Sequence, residues 1–223
     1  MLFDVDGTLV STHGIPRKAM GKVLQSRYGN FNYDEYYNFS GRTDWQIVEH
    51  LLEFDGRKFE SNTVKKILNE FTKRLEEELQ NGKPPLIYPG VKDLLLCLSK
   101  LDNVYLGLVT GNIAEGARIK LSKAGLYEYF PVGAFGDDSA DRNDLPPIAI
   151  ERSEKYYKIK FAKENTWIIG DSIYDIICAQ KNGLRSLAVC TGWTERDALE
   201  KSQPEFIENN FSNVQNILNI LLE

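Results

Sequence analysis

The chain reads as an α/β protein: a doubly wound parallel sheet with an all-helical segment inserted near its start. Three observations predict this. From residue 91 onward, short apolar runs alternate with segments of helical period. Residues 15–80 carry helical period alone, without a convincing strand. The breaker cluster Asn81-Gly82-Lys83-Pro84-Pro85 separates the two regimes. Repeated strand–helix units imply parallel strands with helices on both faces. The expected division is 1–14 plus 86–223 for the sheet domain and 15–85 for the insert.

The elements follow in order. Leu2 to Val5 is apolar apart from Asp4 and runs into Gly7-Thr8, which predicts a short buried strand entering a loop. Pro16 suits a first helical turn, and Ala19, Val23 and Leu24 continue at helical spacing. Thr43-Asp44 ahead of Ile47, Val48, Leu51 and Leu52 predicts a capped amphipathic helix closing near Gly56. Val64, Ile67, Leu68, Phe71, Leu75 and Leu79 predict a third helix over 61–80. Beyond the breaker, helices are expected at 91–101, 113–124, 145–159, 173–181, 194–201 and 213–222. Strands are expected at 104–109, 132–135, 166–169, 184–189 and 206–207.

Composition narrows the function. The chain has 223 residues, 42% hydrophobic and 26% charged, which suits a globular protein with a sizeable core. The net charge of −5 argues against a nucleic-acid partner, which needs a basic stripe. No apolar run is long enough for a membrane span, and the N-terminus lacks the pattern of a signal peptide. Cys97, Cys178 and Cys190 form no CxxC pair and sit among apolar residues, so buried free thiols are expected. A cytoplasmic monomer is the default.

Three predicted strands end in polar clusters: Asp4-Val5-Asp6, Thr110-Gly111-Asn112 and Gly170-Asp171. Ligands of open α/β sheets bind outside the carboxyl ends of the strands, so these clusters can converge. Two carboxylates one residue apart can face one pocket where a strand breaks, here at Gly7. Such a pair is costly unless a cation neutralises it, and an all-oxygen ligand set suits Mg²⁺. A carboxylate can also attack phosphorus. A calcium loop or a solvated turn is the plainer alternative for an isolated DxD.

The stretch Phe3-Asp4-Val5-Asp6-Gly7-Thr8-Leu9 resembles the first motif of the haloacid dehalogenase-like hydrolases, and within them the phosphatases similar to phosphoglycolate phosphatase. Leu108-Val109-Thr110-Gly111-Asn112 resembles the second motif, and Ile168-Ile169-Gly170-Asp171-Ser172-Ile173-Tyr174-Asp175 the fourth. The resemblance spans essentially the whole chain and implies a Rossmann-like core with a helical cap. It implies that Asp4 is the nucleophile and that Asp6 is the acid and base, with its backbone carbonyl on Mg²⁺. Thr110 would donate to a phosphoryl oxygen, helped by N–H groups at Gly111 and Asn112. Thr8 would join the substrate contacts. Asp171 would bind Mg²⁺, and Asp175 would act through water or hold the basic residue.

The chain departs from the family at the third motif, where a lysine is usual. The segment from Asp138 to Pro146 offers only Arg142, to which the cationic role is assigned, with Lys155 and Lys158 as weaker substitutes. In the insert, Arg42 within Ser40-Gly41-Arg42-Thr43-Asp44 is the candidate substrate contact, against a plain helix-capping segment. His13 sits in the first linker, where it could be a hinge or a leaving-group contact, against a plain linker residue. Tyr28, Phe31, Tyr33, Tyr36, Tyr37 and Phe39 are read as the insert's core. The expected function is Mg²⁺-dependent hydrolysis of a small phosphorylated metabolite through an aspartyl-phosphate. A sugar-phosphate mutase and a non-catalytic phosphometabolite-binding protein are the alternatives. A C–halogen hydrolase would need no acid at Asp6.

Overall fold

The computed structural model describes residues 1–223. In chain order the elements are β1 (Leu2–Phe3), β2 (Val10–Ser11), α1 (Ile15–Tyr28), α2 (Asp44–Phe54), α3 (Ser61–Asn81), β3 (Leu86–Ile87), α4 (Val91–Leu98) and β4 (Gly107–Val109). There follow α5 (Ala114–Ala124), β5 (Gly133–Ala134), α6 (Leu145–Tyr157), β6 (Trp167–Gly170), α7 (Ile173–Asn182), β7 (Arg185–Val189), α8 (Arg196–Lys201), β8 (Phe206–Glu208) and α9 (Val214–Leu222). No helix is long and apolar enough to cross a membrane.

Six strands form one sheet in the order β5-β4-β1-β6-β7-β8, and every neighbouring pair is parallel. The chain winds outward from β1 in both directions, so the α/β, doubly wound fold expected from the alternating pattern is what the structure contains. β1 is central because Leu2 and Phe3 are apolar and buried, as parallel strands covered on both faces require. Leu2 stands opposite both Gly107 of β4 and Ile168 of β6. Strand order reverses at β1, which places a crevice at its carboxyl end.

The helical stretch resolves into three helices. Thr43 caps α2 in a full capping box: its hydroxyl accepts from the Gln46 N–H, and the Gln46 side chain accepts from the Thr43 N–H. The predicted stripe of α3 is buried without exception. It packs with α1 and α2 into an apolar cluster that also takes in Ile113 and Ile119 beside and within α5.

Several expectations change. The antiparallel ribbon β2–β3, with Val10 opposite Ile87 and Ser11 opposite Leu86, joins the sheet to the insert and is too short to show a period. The apolar run Val104 to Val109 is strand only from Gly107, because Val104 belongs to a turn closed on Leu101. Cys178 is buried and its thiol is pushed up to about 12 by that burial, but Cys97 is exposed. It lies off the face of α4 that buries Val91, Leu94, Leu95 and Leu98. Among the insert aromatics Phe31 is core, whereas Tyr36 is almost wholly exposed. The Asp34 carboxylate accepts from the Tyr36 and Tyr37 N–H groups and turns the chain there.

Candidate active site

Three strand ends supply the site. Asp4 directly follows β1, and its N–H still donates to the Ile169 carbonyl at 2.9 Å. Gly7 then takes a left-handed φ of 85°, which turns the chain out of the strand. Thr110 to Asn112 follow β4, and Asp171 follows β6.

Carboxylate oxygens of Asp4, Asp171 and Asp175 lie within 4.8 Å of one another, all buried. Arg142 reaches into this group. Its Nη2 donates to Asp4 Oδ1 at 2.9 Å and to Asp175 Oδ1 at 2.5 Å. Burial works against its charge, but Asp175 and Asp4 outweigh it and push the guanidinium's pKa further above its ordinary value. Its Nε is buried without a partner, a cost accepted most readily at functional sites. Asp4 is raised to about 6, chiefly by burial, against the pull of Arg142. Asp171 is pushed well above the usual carboxylate range by burial and by Asp4 and Asp175.

One guanidinium therefore faces three buried carboxylates, and the excess negative charge fits a divalent cation. The donors are all oxygen, which suits a hard ion. Asp175 is the least free of the three. Its Oδ2 accepts from the Ser172 N–H at 3.0 Å and the Ser172 hydroxyl at 2.6 Å, capping α7, while its Oδ1 holds Arg142. Asp4 and Asp171 each keep one oxygen without a hydrogen bond and so could hold a cation more readily. Space around Asp171 depends on glycine. A Cβ on Gly192 would lie 1.6 Å from Asp171 Oδ2, and one on Gly7 would lie 2.3 Å from it.

Asp6 faces a different group. Its Oδ2 accepts from Lys120 Nζ at 2.5 Å and from Asn112 Nδ2 at 2.9 Å, and its Oδ1 accepts from the Thr12 hydroxyl at 3.3 Å. Asp4, Asp6, Thr110, Gly111, Asn112, Arg42, Arg142 and Asp171 all line one cavity of about 450 Å³ between sheet and insert. Arg42 lies over the Tyr174 ring at 4.5 Å. Thr110 is buried, and its Oγ1 accepts from Asn112 Nδ2 at 2.8 Å.

Other expected residues fall elsewhere. Thr8, expected among the substrate contacts, is fully buried, and its hydroxyl donates to Asp171 Oδ1 at 3.1 Å. It orients Asp171 instead of facing the cavity. Lys155 and Lys158 are exposed at the end of α6, and His13 is exposed at a left-handed φ of 54°. Two residues escaped the sequence reading. Lys120 is only 1% exposed, though it is a lysine. Its signal was its place on the buried stripe of α5 with Ala117 and Leu121. Asp44 shows in the sequence only as part of a helix cap. Its N–H donates to the Gly111 carbonyl at 2.7 Å, and its Oδ2 accepts from the Ile113 N–H at 2.9 Å.

The constellation has counterparts. The sequence model of the family described as haloacid dehalogenase-like hydrolase matches residues 1–189. The chain belongs to the haloacid dehalogenase-like hydrolases. Two similar proteins are the probable phosphatase IndB of Dickeya dadantii and a phosphoglycolate phosphatase of Photorhabdus laumondii. The first is 22% identical, over 100% of this chain and 94% of the relative. The second is 26% identical, over 95% of this chain and 88% of the relative. Among solved structures, CbbY of Rhodobacter sphaeroides in complex with phosphate superposes with a TM-score of 0.76 at 19% identity, covering 96% of this chain and 94% of that one. As a haloacid dehalogenase-like hydrolase, the chain carries its polar residues where the fold expects a ligand: Asp4 and Asp6 beyond β1, Asp171 beyond β6 and Thr110 to Asn112 beyond β4.

Proposed function

We propose that this hydrolase is a Mg²⁺-dependent phosphatase acting on a small phosphorylated metabolite, a phosphomonoester or phosphoanhydride. The observation that carries the reading is the buried trio Asp4, Asp171 and Asp175 against the single guanidinium of Arg142. Such a site needs added positive charge and can then accept an anionic phosphoryl group. The names of the two relatives, both phosphatases, point the same way.

In this reading an oxygen of Asp4 attacks phosphorus, and the bond from phosphorus to the leaving oxygen breaks. Asp6 gives its proton to that oxygen. The carboxylate thus formed then takes a proton from water, whose oxygen attacks phosphorus and frees Asp4 and phosphate. Arg142 places charge beside the nucleophile. The backbone N–H groups near Thr110 and Gly111 meet developing charge on the phosphoryl oxygens. Bound Mg²⁺ would neutralise charge on the transferring group, held by Asp4, Asp171 and the Asp6 carbonyl. The segment 15–85 acts as a cap that keeps bulk water out. Asp6 supplies the acid and base that cleaving a phosphate ester needs, which favours phosphoryl transfer over C–halogen hydrolysis, and the phosphatase names of the two relatives favour water as the acceptor.

The test is phosphate release from a panel of phosphorylated metabolites, with Mg²⁺ and with EDTA. We expect turnover that EDTA abolishes and that Asp4→Asn lowers by about 10³-fold or more. Full activity in Asp4→Asn, or in EDTA, would overturn the mechanism.

A further inference from the structure

Lys120 is a buried cation that the phosphatase reading leaves without a task. It projects from α5, lines the cavity and is 1% exposed. Its Nζ makes two charge-assisted contacts, to Asp6 Oδ2 and to Asn112 Oδ1, each at 2.5 Å. Asn112 completes a triangle, because its Nδ2 donates to the same Asp6 oxygen at 2.9 Å and to Thr110 Oγ1 at 2.8 Å. The other Asp6 oxygen accepts from Thr12, so the carboxylate is held at both ends. Arg142 serves the Asp4 side of the site, and Lys120 touches none of the three clustered carboxylates within ion-pair distance.

A lysine costs several kcal/mol to desolvate and is tolerated only where paired. Core packing does not ask for one here: its stripe neighbours Ala117 and Leu121 are apolar and fully buried. Asp6, in contrast, gains a defined orientation. A carboxylate free to rotate would sample positions from which neither the leaving oxygen nor the incoming water is in reach, and misplacement of about 1 Å can cost about 10²-fold in rate. Resting on the phosphatase reading, we propose that Lys120 is a positioning residue: with Asn112 it holds the Asp6 carboxylate in the orientation from which it exchanges protons with leaving group and water.

A double-mutant cycle on kcat tests this, with p-nitrophenyl phosphate and 2-phosphoglycolate as probes in saturating Mg²⁺. Lys120→Met should lower kcat by about 10- to 100-fold with KM changed less than about threefold, since the residue acts on Asp6 and not on bound substrate. In an Asp6→Asn background the same substitution should cost less than about twofold, because the group it positions is already gone. Lys120→Arg keeps the cation with a differently shaped head and should give an intermediate kcat with the same loss of effect in Asp6→Asn. This second variant decides the matter if Lys120→Met does not fold. Additive losses, or a raised KM at unchanged kcat, would overturn the role of Lys120 while leaving the phosphatase reading intact. Failure of the parent chain to hydrolyse any ester, or full activity in Asp6→Asn, would overturn the reading itself and the positioning role with it.

Discussion

Asp171 occupies space that exists only because residue 192 is glycine, with a hypothetical Cβ 1.6 Å from its Oδ2. The hydroxyl of Thr8 fixes the other oxygen of that carboxylate. Gly192→Ala must therefore displace the carboxylate of Asp171, which the proposed mechanism makes a metal ligand. Changes that disorient a metal ligand typically cost about 10- to 100-fold in metal affinity. We expect the Mg²⁺ concentration for half-maximal activity to rise by about that factor, with kcat at saturating Mg²⁺ changed far less. Metal titration of the rate checks it, and an unchanged half-saturation would remove Asp171 from the ligand set. This dependence was not legible in the sequence, where Gly192 follows Thr191 in an unremarked loop. Asp4, Asp6 and Asp171 were legible because each follows a short apolar run, whereas Asp175, inside α7, was legible only through the resemblance of its segment to the family's fourth motif. Lys120 was missed because the contacts that give it meaning come from Asp6, over a hundred positions away in sequence.

At the scale of elements, the N-terminus of α2 is where the insert meets the sheet domain. Asp44 donates to Gly111 and accepts from Ile113, Thr43 donates its hydroxyl to the Ala140 carbonyl at 2.9 Å, and a Cβ on Gly111 would lie 2.0 Å from the Arg42 carbonyl oxygen. Burial, only partly offset by Lys120, raises the Asp44 carboxyl from 3.8 to about 6. Because the folded value lies above the unfolded one, this group's contribution to stability is fully present below about pH 4. It is lost as pH rises through about 6. Asn keeps the acceptor for the Ile113 N–H without the titrating charge. Asp44→Asn should thus stabilise the chain at pH 7.5 relative to the parent and confer no such gain at pH 4, as read from melting temperatures at both values. A gain of equal size at both would show that the Asp44 charge plays no part. Sequence pattern located α2 and its cap from Thr43 and the following stripe. It could not show that the cap also touches the sheet domain, since capping residues look alike whether their far side meets solvent or protein. The ribbon β2–β3 was hidden for another reason: two residues per strand make only a single alternation, which cannot repeat as a pattern.

Across the whole molecule, the insert and the sheet domain have separate apolar clusters, and α5 belongs to both. Ile119 and the preceding Ile113 pack with α1–α3, while Ala117 and Leu121 pack with the sheet. A hypothetical Cβ on Gly116 would come within 3.7 Å of Leu75 of α3, so the two helices are in close apposition. Loss of packing in the insert must then loosen a helix that covers the sheet, which argues for one cooperative unit. Tryptophans report on each side: Trp45 packs against the insert's cluster and Trp167 lies in the sheet's. Leu75 is fully buried, and Leu75→Ala should cost about 2–5 kcal/mol, the range for a leucine truncated in a packed core. With Trp193 and either Trp45 or Trp167 replaced by Phe, the remaining indole isolates one side. Urea unfolding of Leu75→Ala in the two single-tryptophan backgrounds should move both midpoints down together, as a shared transition demands. A midpoint that falls at Trp45 but stays in place at Trp167 would instead mean that the insert unfolds by itself, with α5 retained by the sheet.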